Sequence, residues 1–292
     1  MTLPRLTASV LALILWAGTV HALSPLTEVS DGVPDGAQIL DIRSPAEFAT
    51  GHLGKARNLP YGIFRGPREN PGRVPEAAAL EAALRSVGLE PDAPVLIVYA
   101  GKTVTDFGAA ARVYWTLTSA GFAELSILNG GMESWRSADL PIAKRATPTT
   151  ATKLTVSYDE SWWVDADAVQ DIVLGRAPGV LIDARPADFF EGKRKHGAAR
   201  EAGTLAGALN IVHESWFGEQ GGEIAPDPAM LDRLRAVAAE ANAPLVSFCN
   251  TGHWAATNWF VASELAGIPD VKLYPESMVG WTLLSRTVTV GE

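Results

Sequence analysis

The chain has 292 residues, of which 47% are hydrophobic, and it carries a formal net charge of −9. At roughly 150 residues per domain, this length predicts two domains. The acidic balance argues against nucleic acid or an anionic membrane surface as a partner, because both would repel a negatively charged protein. With one cysteine, the chain cannot form an internal disulfide.

The N-terminus has the pattern of an export signal. Arg5 precedes an apolar run at Val10–Ala17, and the run ends in the triplet Val20–Ala22, which offers small or modest residues to a signal peptidase. The run is shorter than the about 20 apolar residues that a membrane span needs. We therefore expect residues 1–22 to be cleaved, leaving a periplasmic or secreted protein that starts at Leu23 and has no membrane contact. An uncleaved N-terminal anchor is the alternative.

The rest of the sequence repeats itself at low identity. The paired segments are Ile39–Phe48 with Leu181–Phe189, Gly51–Leu59 with Gly203–Ile211, and Gly131–Trp135 with Ser277–Trp281. The period far exceeds the 20–50 residues of solenoid repeats, so we expect two globular copies. We place the domains at residues 23–145 and 146–292, with a polar, Thr-rich linker at 144–159 and an extra segment around Glu191–His196 in the second copy.

Short apolar runs alternate with helical patterns in each copy. The predicted strands are Val95–Tyr99, Leu125–Leu128 and Pro244–Phe248, and the predicted helices are Ala109–Ala120 and Ala255–Ala266, each ended by a glycine, Gly121 or Gly267. This alternation predicts an α/β fold in which each domain has a mostly parallel sheet with helices on both faces.

The only cysteine lies where a buried strand gives way to a helix. The loop consists of Cys249, Asn250, Thr251, Gly252, His253 and Trp254. Ligands of parallel α/β folds bind beyond the carboxyl ends of the strands, and free amides at a helix N-terminus favour anions and thiolates. Gly252 would let the loop curl back, and Thr251 adds a hydroxyl donor. An inert buried thiol is the alternative. One cysteine with scattered histidines makes a poor metal site, so we expect no metal.

The repeat, its motifs and this loop together resemble tandem-domain rhodanese sulfurtransferases over nearly all of the mature chain. The resemblance implies two rhodanese-like domains, no cofactor, and a catalytic cysteine in the second domain alone. Ala100 stands where Cys249 stands in the second copy, so the first domain should be catalytically silent. The resemblance further implies that Cys249 takes sulfur from a small donor such as thiosulfate or 3-mercaptopyruvate as a persulfide. A thiol, cyanide or a protein would then accept the sulfur.

The loop departs from both known subtypes of that family. Thiosulfate-preferring members resemble Cys-Arg-Lys-Gly-Val-Thr and mercaptopyruvate-preferring members resemble Cys-Gly-Ser-Gly-Val-Thr, whereas this loop has no cation. Many tandem members also carry an arginine where this chain has Phe189. We therefore expect a lean towards 3-mercaptopyruvate or another organic donor, bound by Arg185 or Arg194. Lys195 is an alternative source of positive charge, and His253 should add a further positive charge by gaining a proton below about pH 6.5.

Other conserved-looking features of the repeat have structural interpretations. We expect Asp41 with Arg43, and Asp183 with Arg185, to pair and fix the adjacent loops. Two further histidines, His52 and His213, and most of the tryptophans should be structural. Two other functions stay open, an exported persulfide carrier and a non-enzymatic module that binds a sulfur compound or a protein. Phosphatases of the same fold need an arginine six residues after the cysteine, where this chain has Ala255.

Overall fold

The computed structural model describes residues 23–218 and 221–291, so the predicted leader lies outside the described residues. The strands are β1 (Leu26–Thr27), β2 (Gln38–Asp41), β3 (Arg57–Asn58), β4 (Val95–Val98), β5 (Leu125–Leu128), β6 (Val180–Asp183), β7 (Leu209–Asn210), β8 (Leu245–Phe248) and β9 (Val271–Leu273). The helices are α1 (Pro45–Thr50), α2 (Ala77–Ser86), α3 (Val104–Ser119), α4 (Gly131–Ser137), α5 (Ala166–Val173), α6 (Ala187–Phe190), α7 (Pro228–Ala241), α8 (Trp254–Phe260) and α9 (Ser277–Leu283).

Two parallel sheets organise these elements, one in each copy of the repeat. The first has the strand order β1-β5-β4-β2-β3 and the second has the order β7-β6-β8-β9. All the pairings between these strands are parallel. The α/β fold with two rhodanese-like domains that the sequence predicts is confirmed.

Both faces of each sheet are covered, which explains why the central strands read as continuous apolar runs. In β4, Val95 and Ile97 belong to one hydrophobic cluster, while Leu96 and Val98 belong to another on the opposite face. Successive side chains of a strand point to opposite faces, so a strand covered on both sides needs an apolar residue at every position. The strand β8 shows the same split between two clusters.

The helices that follow the two central strands differ in extent from the predicted ones. The helix α3 begins at Val104, five residues before the predicted start, because the Asp106 carboxylate accepts hydrogen bonds from the amides of Lys102 and Thr103 and caps that end. The apolar pattern alone does not reveal this cap. The helix α8 ends at Phe260 and continues as a wider π turn over Val261–Leu265.

The predicted linker is an extended strap that lies along the first domain. Its residues Leu154 and Val156 are buried. The carbonyl of Leu154 accepts a hydrogen bond from Arg85 at 2.7 Å, and the hydroxyl of Tyr158 donates to the carbonyl of Pro75 at 3.0 Å. A polar, Thr-rich composition therefore does not mean a loose tether here, because alternate residues of the strap enter the core.

The two domains meet where α3 packs against α8. One continuous hydrophobic cluster includes Ile97 of the first domain and Leu245 of the second. At the helix crossing, the ring of Phe260 makes edge contacts with Phe107 at 5.4 Å and with Tyr114 at 5.1 Å between centroids. This shared core places the loop at the start of α8 against the first domain. Within the described residues, no helix is long and apolar enough to cross a bilayer.

The shared core predicts that the domains unfold together and that its central ring is costly to remove. Replacing Phe260, which is 0% exposed, by alanine should lower the free energy of unfolding by about 3–5 kcal/mol, because the neighbouring rings cannot close the cavity. Leu174→Ala, at a site that is 54% exposed, is the control and should change stability by less than about 0.5 kcal/mol. Urea unfolding followed by tryptophan fluorescence measures both. Equal effects, or separate transitions for the domains, would contradict a shared core.

Candidate active site

Cys249 directly follows β8 and begins the loop that leads into α8. It is 1% exposed, and its carbonyl accepts a hydrogen bond from the amide of Met278 at 3.1 Å. The next carbonyl, that of Asn250, accepts from the amide of Val279 at 3.0 Å. The first turn of α9 therefore holds the start of the cysteine loop through its unpaired amides.

Ser277 holds the loop from the other side. Its Oγ accepts hydrogen bonds from the amides of Cys249 at 3.0 Å and Gly252 at 3.1 Å, and it donates to the carbonyl of Tyr274 at 2.8 Å. Ser277 has a φ of +51°, in the left-handed region, where its counterpart in the first domain is Gly131 with a φ of +58°. A serine in this conformation is strained by about 1–2 kcal/mol relative to glycine. The two amide contacts offset that strain.

The first domain shows what fills such a loop when no cysteine is present. There the Asp106 carboxylate accepts from the amides of Lys102 and Thr103, so the protein supplies its own anion. The first turn of α8 contains no acidic residue. In the part of the chain that the structure describes, the amides of Asn250, Thr251 and His253 have no hydrogen-bond acceptor. The second domain thus leaves donors free for an external anion or a charged sulfur.

Two arginines of the first domain reach the carbonyls of the cysteine loop. Arg65 donates from Nη2 to the carbonyl of Thr251 at 2.8 Å. Arg112, which is fully buried in α3, donates from Nη1 to the carbonyl of Gly252 at 3.4 Å and from Nη2 to that of Gly72 at 2.8 Å. The loop itself has no cation, as the sequence shows, and the positive charge beside it comes from elsewhere. The other domain supplies it.

Gly252 leaves no space for a side chain beside Arg112. Its φ is +66°, so the loop does curl back as expected. A Cβ at this position would lie 2.3 Å from Arg112 Nη1 and 2.4 Å from the carbonyl oxygen of Pro275. Both distances are far too short, so the conformation and the space each require glycine.

His253 is held by the first domain through both ring nitrogens. A carbonyl can only accept, so Nε2 donates to the carbonyl of Thr105 at 2.8 Å, and Nδ1 accepts from the hydroxyl of Tyr61 at 2.8 Å. Burial, followed by the positive charge of Arg65, lowers the pKa of His253 to about 3. The expectation that this histidine gains a proton below about pH 6.5 is therefore wrong, because burial beside Arg65 disfavours the charged imidazolium.

Trp254 is likewise engaged with its surroundings. Its ring stacks on His213 at 4.6 Å between centroids, and its Nε1 donates to the hydroxyl of Thr105 at 3.3 Å. His213 is itself fully buried and donates from Nδ1 to the carbonyl of Ala184 at 3.1 Å. Trp254 and His253 together join the cysteine loop to α3, and this contact explains their bulk at a position where related loops have small residues.

Arg185 forms the expected ion pair rather than facing an open space. It is 1% exposed and binds Asp183 with two nitrogens, while Nη1 lies 3.5 Å from Oδ1 of Asn250. The first domain contains the same pair between Arg43 and Asp41. Because the pair is present in both copies, it fixes the loops whether or not a cysteine is there. A direct contact of Arg185 with substrate stays a prediction.

Arg194 lies farther from the cysteine. It pairs with Asp188 at 2.8 Å and stacks over the ring of Phe189 at 4.6 Å, and Phe189 in turn contacts Trp254. Its side chain is mostly exposed. The last member of the predicted set, Thr251, is buried at the loop, and its hydroxyl makes no hydrogen bond with any described residue. The substrate roles of Arg194 and Thr251 also stay predictions.

Sequence reasoning missed the residues that the first domain and α9 add to the site. They are Tyr61, Arg65, Thr105, Arg112 and Ser277. Arg112 gave a usable signal, since it is a single charge within an otherwise apolar stretch of α3. Ser277 also gave one, because the repeat aligns it with a glycine. The other three gave none, since a tyrosine, an arginine and a threonine in polar surroundings are ordinary surface residues.

Comparison with known proteins assigns the chain to a family. The sequence profile of the rhodanese-like domain matches residues 26–138 and 165–284, so the chain belongs to the rhodanese family. It is 28% identical over 262 residues to SseB of Mycobacterium tuberculosis, which has been named provisionally as a thiosulfate sulfurtransferase. This match covers 85% of this chain and 88% of the relative. It is 28% identical over 180 residues to 3-mercaptopyruvate sulfurtransferase of Rattus norvegicus, covering 61% and 59%.

Solved structures support the same fold. The 3-mercaptopyruvate sulfurtransferase SseA of Escherichia coli superposes with a TM-score of 0.70 at 22% identity, covering 87% of this chain and 98% of that one. A variant of EanB, in which ergothioneine is covalently linked to a persulfide cysteine, superposes with a TM-score of 0.76 at 16% identity, covering 92% and 70%. At these identities the likeness concerns the fold alone.

The strained conformation of Ser277 predicts an unusual order of stability. Ser277→Ala and Ser277→Gly both remove the two amide contacts, but glycine tolerates the positive φ. The glycine variant should therefore be the more stable of the two by about 1 kcal/mol. The control is Ala79, which is exposed within α2, where glycine should instead cost about 1 kcal/mol relative to alanine. Urea unfolding measures the stability of each variant. If Ser277→Ala proves as stable as Ser277→Gly, the backbone at Ser277 is not strained.

The low pKa of His253 predicts a stability that falls in mild acid. The unfolded chain takes up a proton near the ordinary pKa of about 6.5, whereas the folded chain does not, so acid favours unfolding. Lowering the pH from about 7.5 to about 5 should therefore reduce the free energy of unfolding by up to about 2 kcal/mol through His253. In His253→Gln, whose amide can still donate to Thr105 and accept from Tyr61, that loss should be smaller. Identical losses in both proteins would show that His253 does not contribute.

Proposed function

We propose that this protein is a sulfurtransferase that carries sulfane sulfur as a persulfide of Cys249. The observation on which the proposal rests is the cysteine loop itself. It combines the chain's only thiol with free amides, two cations from the first domain and no internal anion. Its similarity to relatives named as sulfurtransferases supports the same chemistry.

The reaction follows from the placement of charge. The thiolate of Cys249 attacks the outer sulfur of a donor such as thiosulfate, a new S–S bond forms, and the old S–S bond breaks so that sulfite leaves with its electron pair. With 3-mercaptopyruvate the C–S bond breaks instead, and pyruvate leaves after taking up a proton. An acceptor such as cyanide or a thiol then attacks the outer persulfide sulfur and restores the thiolate. This is covalent catalysis, with loop amides next to the charged sulfur.

The first domain takes no covalent part in this scheme. Ala100 occupies the position of the nucleophile, and Asp106 already fills the neighbouring amides. Its contribution is to present Arg65, Arg112, Tyr61 and Thr105 to the cysteine loop. The arrangement therefore assigns sulfur chemistry to one domain and the completion of the site to the other.

An exported persulfide carrier is the second candidate, and it shares all of this chemistry except the acceptor. What favours it is the burial of Cys249 at 1% exposure, which suits a site that opens to a particular partner. From the leader residues alone, we also propose that the protein is exported to the periplasm or secreted. A lone thiol in an oxidising compartment is better preserved when it is buried.

The persulfide can be tested on the intact protein. After incubation with thiosulfate or 3-mercaptopyruvate and removal of the donor, the wild type should gain the mass of one sulfur atom, and cyanide should remove it as thiocyanate. Cys249→Ser should gain no mass and should show no transfer, since the chain has no other cysteine. Ser247→Ala, two residues earlier in β8, serves as the matched control and should retain the added sulfur.

The outcomes separate the candidate functions. Turnover with small donors and cyanide indicates an enzyme, whereas a stable persulfide that only a protein thiol discharges indicates a carrier. The wild type without any added sulfur under both donors would exclude both and leave the binding module.

A further inference from the structure

Arg65 and Arg112 form a pair of cations that has no acidic partner. Among the ion pairs of the described residues, neither guanidinium lies within 4.0 Å of a carboxylate. Within the same part of the chain, Nη1 of Arg65 and Nε of Arg112 are buried without any hydrogen-bond acceptor. Arg112 is 0% exposed, and stacking on Trp115 at 4.7 Å holds its guanidinium in place.

Two uncompensated charges at one buried place are costly unless an anion joins them. Burial and the like charge of Arg65 lower the pKa of Arg112 to about 9, so the guanidinium still carries its charge at neutral pH. Besides Arg65, the groups that interact electrostatically with it are Tyr61, Tyr158 and Cys249. Burial raises the pKa of both tyrosines, so they stay neutral. That leaves the sulfur of Cys249 and whatever anion binds beside it.

We propose that Arg65 and Arg112 of the first domain form an anion-binding pair at the Cys249 loop, and that this pair selects sulfur donors by charge. The donor it fits is a compact anion whose charged oxygens lie next to the transferable sulfur, with a dianion favoured over a monoanion of the same shape. The choice of donor by charge rests on the proposed function, whereas the anion site itself does not.

The unused donors of the two side chains carry this proposal beyond loop positioning. Each arginine gives one nitrogen to a loop carbonyl, Arg65 to Thr251 and Arg112 to Gly252. Those contacts alone would orient the loop, and a neutral donor such as glutamine could make them. Two buried donors, Nη1 of Arg65 and Nε of Arg112, have no acceptor among the described residues. Both guanidiniums also carry a positive charge. Charge is therefore the property that separates an anion site from a structural clamp.

Alkylation of Cys249 isolates that property. Iodoacetate and iodoacetamide react with the same thiolate and have nearly the same shape, but only the first is an anion. The ratio of their rate constants therefore cancels changes in thiolate fraction and in access. Arg65→Gln should lower this ratio about fivefold to tenfold, because one positive charge at the cysteine loop is removed, while Arg65→Lys should stay close to the wild type. High salt should narrow the difference.

Arg68 provides the matched control, since it is an exposed arginine three residues along the same segment. Arg68→Gln should leave the ratio unchanged. Arg112→Lys tests the second cation, and where Arg112→Gln fails to fold, Arg65→Gln still decides. A ratio unchanged in Arg65→Gln, or lowered equally in Arg68→Gln, would overturn the proposal.

If neither reagent reaches the thiol, the anion site is tested by the rise in melting temperature that thiosulfate causes in the Cys249→Ser protein. Adding Arg65→Gln to that protein should abolish the rise, and a rise that persists would overturn the proposal.

Donor kinetics extend the test to sulfur transfer. Methanethiosulfonate resembles thiosulfate but carries one negative charge fewer. The wild type should prefer thiosulfate in kcat/KM, and Arg65→Gln should lose that preference about fivefold to tenfold. Failure of the proposed function can be told apart from failure of the anion site. A protein that transfers no sulfur would still show the lowered alkylation ratio in Arg65→Gln. Sulfur transfer with no preference between the two donors would refute selection by charge.

Discussion

The cysteine loop is buried between two domains, and the need to bond its backbone polar groups governs the rest of the site. Carbonyls that leave water must find donors, or each costs about 1–3 kcal/mol. Those of Cys249 and Asn250 are satisfied by the first turn of α9, and those of Thr251 and Gly252 by Arg65 and Arg112. These contacts hold the loop only while the first domain remains docked, so both domains contribute to the candidate site.

The two copies of the repeat differ in what surrounds the amides of the corresponding loop. In the first copy Asp106 accepts from the loop amides, and Gly131 takes the left-handed position at the start of α4. In the second copy the carboxylate is absent and Ser277 takes that position at a cost in strain. Both changes concern the same feature, the supply of amide donors around the loop. A residue kept in a strained conformation, in contact with the nucleophile's own amide, is typical of functional sites.

The first domain also decides the electrostatics that the loop sequence leaves open. An acidic protein that handles anionic sulfur compounds needs local positive charge, and a loop without lysine or arginine offers none of its own. The same docking that brings in the two arginines also buries His253, and burial together with the charge of Arg65 lowers the pKa of this histidine to about 3. The charge at this site thus comes from guanidiniums that stay ionised rather than from a histidine that switches.

By itself, the sequence determined the α/β class, the two copies and the position of the cysteine loop, because these follow from patterns along the chain. Apolar runs mark the strands, a repeat marks the domains, and one cysteine on a glycine-containing strand-to-helix loop marks the candidate site, where the second copy has Cys249 and the first has Ala100. The tertiary structure alone decided which side chains from elsewhere reach that loop. Arg65 and Arg112 lie far from Cys249 in sequence, and only the docking of the first domain, in which α3 packs against α8, brings them to its loop. A contact between distant segments depends on how whole helices cross, and the neighbourhood of a residue in sequence does not record that crossing.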